Sequence, residues 1–165
     1  MAAYSAAGWD GFGTTAATAA ATLTGLLFIA VSINLRDILN ERPLPGRAGQ
    51  TLLFFALPLV FALLLVVPDQ SRAALGGELI ATGVVAVALG LAIDHRAGRS
   101  AEEPHWSRAV SRILPMTVSC ACVILAGASL LAPAGGGLYW LVPATVLSII
   151  AGLFNTWVLL IEILR

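Results

Sequence analysis

Apolar residues in this chain come in runs too continuous for a surface helix and too long for a buried strand. The clearest is LTGLLFIAVSINLRDIL, Leu23 to Leu39, which passes from hydrocarbon side chains into Asn34, Arg36 and Asp37 within one helix length. A helix apolar on every side belongs in a bilayer or a deep core, and about 20 such residues cross the hydrocarbon. Five runs reach that length, at about 13–35, 48–67, 75–94, 110–132 and 138–164. The pattern predicts an all-α integral membrane bundle of five transmembrane helices, forming a single membrane domain over residues 1–165.

Polar and small residues refine each run. Trp9 and Phe12, ahead of the first run, have the aromatic character that favours a headgroup layer, so they are expected to mark an interface. Ala16, Ala20 and Thr24 recur every four residues, as do Ala21 and Gly25, a spacing that lets backbones approach closely. This predicts a first helix packed on more than one side. Pro43, Pro45 and Gly46 read as a helix stop, making Asn40 to Gln50 a turn before a second span from Ala48 to Val67. Pro58 sits in the middle of that span and deprives the Phe54 carbonyl of its helical donor. A kink is tolerable there if a neighbouring helix or a water serves the freed oxygen.

The third run is uninterrupted only from Leu79 to Ile93, so a full crossing must reach from about Leu75 to Asp94. That places Glu78 one turn inside the boundary. Gly83 and Gly90 lie on one face and offer a second close-packing stripe. Residues 95–110 form the longest loop, Pro115 stands near the start of the fourth run, and PAGGG (Pro133 to Gly137) makes an uncharged turn before the fifth.

Composition agrees with a bilayer protein. Of 165 residues, 59% are hydrophobic and 11% charged, against about a quarter charged in soluble domains. Five spans leave no length for a soluble catalytic or nucleic-acid-binding domain. Net charge is zero, and no basic tract points to nucleic acid. The nine basic residues are all Arg. Their distribution orients the bundle: Arg36, Arg42 and Arg47 lie between the first two spans, and Arg96, Arg99 and Arg108 between the third and fourth, with Arg112 close by. The opposite loops hold only Arg72. Arginine-rich short loops stay cytoplasmic, which predicts an outside N-terminus and a cytoplasmic Arg165. No Lys or Arg precedes the first run, so it is expected to remain as a span rather than act as a cleaved signal. Cys120 and Cys122, two apart on a helix, point away from each other and read as small buried hydrophobes.

Ionisable and amide groups inside a bilayer usually face protein or water. Asn155, Leu159 and Glu162 share one face of the fifth helix, while Asn34 and Asp37 close the corresponding end of the first. One reading is a polar vestibule admitting protons or cations. The plainer one is interhelical hydrogen bonding, with Glu162 paired to an arginine such as Arg36. Glu78 is a candidate proton-binding carboxylate, or a side chain that snorkels outward or pairs with Arg72. His95 and His105, with Asp94, Glu102 and Glu103, match no metal-ligand spacing. No HExxH, no GxSxG and no Ser and His pair within a span suggests catalysis, and no cofactor is implied.

The stretch from Leu23 to Leu35, followed by LPGRA (Leu44 to Ala48), resembles a group of small uncharacterised actinobacterial multi-pass membrane proteins. The likeness covers roughly the first 70 residues and implies a bacterial inner membrane setting, with no activity attached. Two functions remain as expectations. The first is a non-enzymatic helix-packing subunit that partners a second copy or a larger membrane protein. The second is an oligomeric ion or proton channel or carrier whose route is lined by Asn34, Asn155 and Glu162.

Overall fold

The computed structural model describes residues 2–40, 43–96 and 113–163, and every regular element among them is helical. The helices are α1 (Asp10–Ile33), α2 (Leu35–Asn40), α3 (Pro43–Leu65), α4 (Arg72–Arg96), α5 (Leu114–Leu131) and α6 (Leu141–Ile163). Short 3₁₀ turns cover Ala2–Tyr4 and Gly137–Trp140. Five of these segments are long and apolar enough to cross a membrane: Asp10–Ile33, Leu44–Leu65, Arg72–Arg96, Leu114–Leu131 and Gly137–Ile161.

Several boundaries differ from the sequence expectation. The second long helix starts at Pro43, not Ala48, because proline fits the first turn, where its missing N–H removes no helical bond. The supposed turn from Asn40 to Gln50 is therefore mostly helix. The first helix breaks at Asn34 and resumes at Leu35. Residues 97–112, expected to form most of the longest loop and carrying Arg99, Glu102, Glu103, His105, Arg108 and Arg112, lie outside the described residues, as do Arg42 and Arg165.

α3 is the hub, packing on α1, α4 and α6, while α5 bridges α4 and α6. Its buried side chains include Phe54, Phe55, Leu57, Phe61 and Leu65. Pro58 is accommodated as the sequence required: the Ser148 hydroxyl of α6 donates to the Phe54 carbonyl at 2.6 Å. Nearby, the Phe55 ring occupies the place where a side chain on Gly152 would stand. A larger residue than glycine at position 152 has no space.

α4 and α5 approach through glycine. A Cβ on Gly127 would stand 2.5 Å from the Gly76 carbonyl oxygen, and one on Gly76 would stand 2.9 Å from the Gly127 carbonyl oxygen. One on Gly83 would lie 3.1 Å from the Cys120 carbonyl oxygen, and one on Gly90 3.4 Å from Met116. The Gly83 and Gly90 stripe thus extends one further step of seven to Gly76. Cys120 and Cys122 are free and buried in α5.

α1 departs from expectation. It buries Gly13, Ala16, Ala20 and Leu27, a single stripe against α3, with only marginal contact to α6. Gly25 has no atom within 4 Å of where its Cβ would be, and Ala21 is exposed. Within this chain the helix is packed on one side, not several.

The N-terminal aromatics pack against the start of the last helix. Trp9 is 8% exposed and packs edge-on against Phe12 at 5.4 Å and Tyr139 at 5.2 Å. The Tyr4 hydroxyl accepts the Gly136 N–H at 3.3 Å, so the leader folds over the glycine turn before α6. Ser129 fixes that turn from beneath, donating to the Ala134 carbonyl and accepting the Gly137 N–H at 3.2 Å.

Candidate functional site

The end of the bundle carrying Asn34 collects the C-termini of α1, α4 and α6 and the N-termini of α3 and α5. Asn34 interrupts the first helix by a local competition. Its side-chain Nδ2 donates to the Ala30 carbonyl at 2.9 Å, and its backbone N–H reaches the same oxygen at 3.3 Å. Asn side chains bond nearby backbone groups in this way and so favour helix ends over helix interiors. At φ −105° and ψ 18° the chain leaves the α region for one residue and then re-enters it. Asn34 is half-buried, and Asp37, in α2, is exposed.

Asn155 lies two turns before the end of α6 and is 6% exposed. Its Nδ2 donates to the Ala151 carbonyl of its own helix at 2.9 Å, and the residue has a further interaction besides. The Glu162 backbone belongs to α6, but its side chain falls outside the described residues. Asn34 and Asn155 therefore each serve a carbonyl of their own helix. The space where the first and last helices converge is filled by an apolar cluster: Leu27 of α1, Ile38 of α2, Leu44 and Phe55 of α3, and Leu159 of α6. Leu23, Val31, Ala48 and Leu52 pack around it. Leu159 is the middle member of the face shared by Asn155 and Glu162, and it points into hydrocarbon side chains rather than a polar lumen.

Glu78 belongs to the opposite end of the bundle. It is exposed and accepts a hydrogen bond from Gln70 Nε2 across the α3–α4 turn, rather than standing isolated within the span. Its described partner is thus an amide, not Arg72.

Polar groups that the sequence reading did not single out converge further round the same end as Asn34. Gln50 is 3% exposed and Thr51 fully buried on α3. A cavity of about 10 Å³ is lined by Gln50, Asp94 of α4 and Thr117 of α5, with Gly90 and Met116 beside them. That volume is at the lower limit for one water molecule. Thr117 donates to the Ile113 carbonyl at 2.9 Å, so its oxygen keeps lone pairs for another partner. Arg47 and Asp94 are both engaged as well. Once α3 begins at Pro43, Arg47 joins Gln50 and Thr51 on one helix at i, i+3 and i+4, rather than lying in a turn. Among the described residues, no three of His, Cys, Asp and Glu lie close enough to share a metal ion.

These features define a small α-helical protein with five membrane-length helices and a mostly apolar interior carrying few polar groups. No protein family, curated protein or solved structure matches the chain.

Proposed function

We propose that the chain is a non-catalytic multi-pass protein of a bacterial inner membrane that works by packing against a second copy or a larger membrane protein. The observation that carries this reading is the asymmetry of α1. One face, through Gly13, Ala16 and Ala20, is committed to α3, while the small-residue face at Ala21 and Gly25 is open. Helices associate in lipid by close backbone approach, and lipid tails give no hydrophobic reason to leave such a face uncovered or covered. A small-residue face is therefore suited to another helix. Arg47 and Arg96 both stand at the Asn34 end, which supports a cytoplasmic placement of that end and an outside N-terminus.

A conduction route through Asn34, Asn155 and Glu162 has weaker support, because the apolar cluster around Leu159 occupies the convergence of the first and last helices.

Disulfide crosslinking in native membranes tests the packing reading. With Cys120 and Cys122 replaced by Ala, a cysteine at Ala21 or Gly25 is expected to give a discrete dimer or a discrete heteromeric band. Gly25→Leu on the same face should weaken it. A chain that stays monomeric under all these conditions overturns the reading.

A further inference from the structure

We propose that the groove between α3 and α4 holds one acyl chain of an anionic phospholipid, with the lipid phosphate at Arg96. This rests on the membrane placement proposed above. The groove has a volume of about 360 Å³ and is walled by Leu53, Leu57 and Val60 on α3 and by Val85, Ala86 and Leu89 on α4. Thr82, at its far end, is its one polar side chain. It opens sideways: Val85 and Leu89 are 55% and 50% exposed.

Its dimensions decide what can occupy it. Leu89 to Thr82 is seven residues, about 10 Å of helix rise. A trough of that length, lined almost wholly by apolar side chains and open along one side, takes a stretch of hydrocarbon chain. Small side chains, Ala56, Ala81 and Ala86, make the depression.

Its position selects a phospholipid over a free hydrocarbon. Thr82 lies near the centre of α4, and Arg96 is fourteen residues further on, about 21 Å along the axis. Half a bilayer including its headgroups is about 20–22 Å. Arg96 follows Leu89 by seven residues and Val85 by eleven, so all three fall on one stripe of the helix. The arginine is exposed at the head of the same face that forms the groove wall. Asp94, the nearest carboxylate in sequence, is turned toward α5 in the small cavity with Gln50 and Thr117. A guanidinium at headgroup depth above a chain-wide groove matches a negatively charged lipid, since Arg pairs bidentately with phosphate.

The test uses the full chain in nanodiscs of phosphatidylglycerol or phosphatidylcholine, followed by release into the gas phase and mass measurement. One retained phosphatidylglycerol per chain is expected, with phosphatidylcholine retained several-fold less. Ala81→Phe, on the exposed lip of the groove, should abolish retention, and Arg96→Gln should erase the preference between the two lipids. Equal retention by wild type and Ala81→Phe overturns the proposal. Wild-type protein provides a check that needs no variant: a phospholipid with a diazirine at mid-chain should label residues 53–60 and 81–89 several-fold more than Phe28 and Ile29 of α1. Even labelling of both faces, or a crosslink between copies across the groove, also overturns it. Failure of the protein to float with liposomes would refute the membrane placement itself, whereas flotation without a retained lipid refutes only this inference.

Discussion

The Ser148 hydroxyl donates a 2.6 Å hydrogen bond to the Phe54 carbonyl, the oxygen that Pro58 leaves without a helical donor. Both residues are buried, so no bulk water can take over. Ser148→Ala should therefore destabilise the bundle by about 1 kcal/mol, within the range for interhelical hydrogen bonds in membranes. The same substitution in a Pro58→Ala background should cost less, because an alanine N–H at position 58 serves Phe54 from within α3. Unfolding in mixed detergent micelles gives the double-mutant cycle, and purely additive effects would refute the compensation.

Gly127 and Gly76 hold the α4–α5 crossing. Gly127→Ala puts a methyl 2.5 Å from the Gly76 carbonyl oxygen and 3.0 Å from the Ile80 nitrogen, and backbone atoms cannot step aside as a side chain can. Overpacking of this kind costs about 1–3 kcal/mol. Gly77→Ala, one residue away with nothing within 4 Å, should be neutral or stabilising, by up to about 1 kcal/mol of helix propensity. Equal melting temperatures for the two variants would show that the helices do not pack through this face.

Gly137 tests the N-terminal cover. Its φ is +58°, and a Cβ there would run into the Ala3 carbonyl. Gly137→Ala should combine a left-handed strain of about 1–2 kcal/mol with a clash against the leader. Deleting residues 2–5 should relieve the clash but not the strain, so the substitution costs less in the shortened chain. An unchanged cost would mean that the leader does not rest on this turn. Near-ultraviolet circular dichroism from Trp9 and Tyr139 should weaken on deletion, since their 5.2 Å contact depends on the folded leader.

Which features the sequence disclosed follows from the range of the physics involved. The five long apolar helices were legible because continuous apolar runs mark them, and the freed Phe54 carbonyl was legible because it lies four residues from Pro58. Ser148 as its partner was not, since that pairing depends on how α3 and α6 meet. Gly83 and Gly90 announced a close-packing face by their spacing, but nothing local shows that Gly76 meets Gly127. Pro43 and Pro45 read as a stop because proline signals both the end of one helix and the first turn of the next. That ambiguity left Arg47 in a turn rather than on the helix that carries Gln50 and Thr51. That Trp9 packs on Tyr139 was not legible, since the two are brought together only by how the leader meets the last helix. That Asn34 and Asn155 each donate to a carbonyl of their own helix was not legible, because the spacing shows only that a polar group needs a partner.

That local satisfaction separates the two asparagines. Asn34 is half-buried and bonded within its own turn, at a break where α1 passes into α2. Asn34→Leu removes the competing amide, restores a preference for continuous helix and exposes one more apolar group where lipid or α2 can cover it. Its effect on stability should stay within about 0.5 kcal/mol, as for surface changes away from buried networks. Asn155 is 6% exposed, so Asn155→Leu removes a buried amide together with its bond to Ala151. A loss of about 1–3 kcal/mol is expected there. Proton flux into proteoliposomes should be indistinguishable between wild type, both variants and Glu162→Gln. A current that falls in Asn34→Leu and Glu162→Gln alike, with stability unchanged, would instead place both residues on one conduction route and reverse the ranking of the two functions.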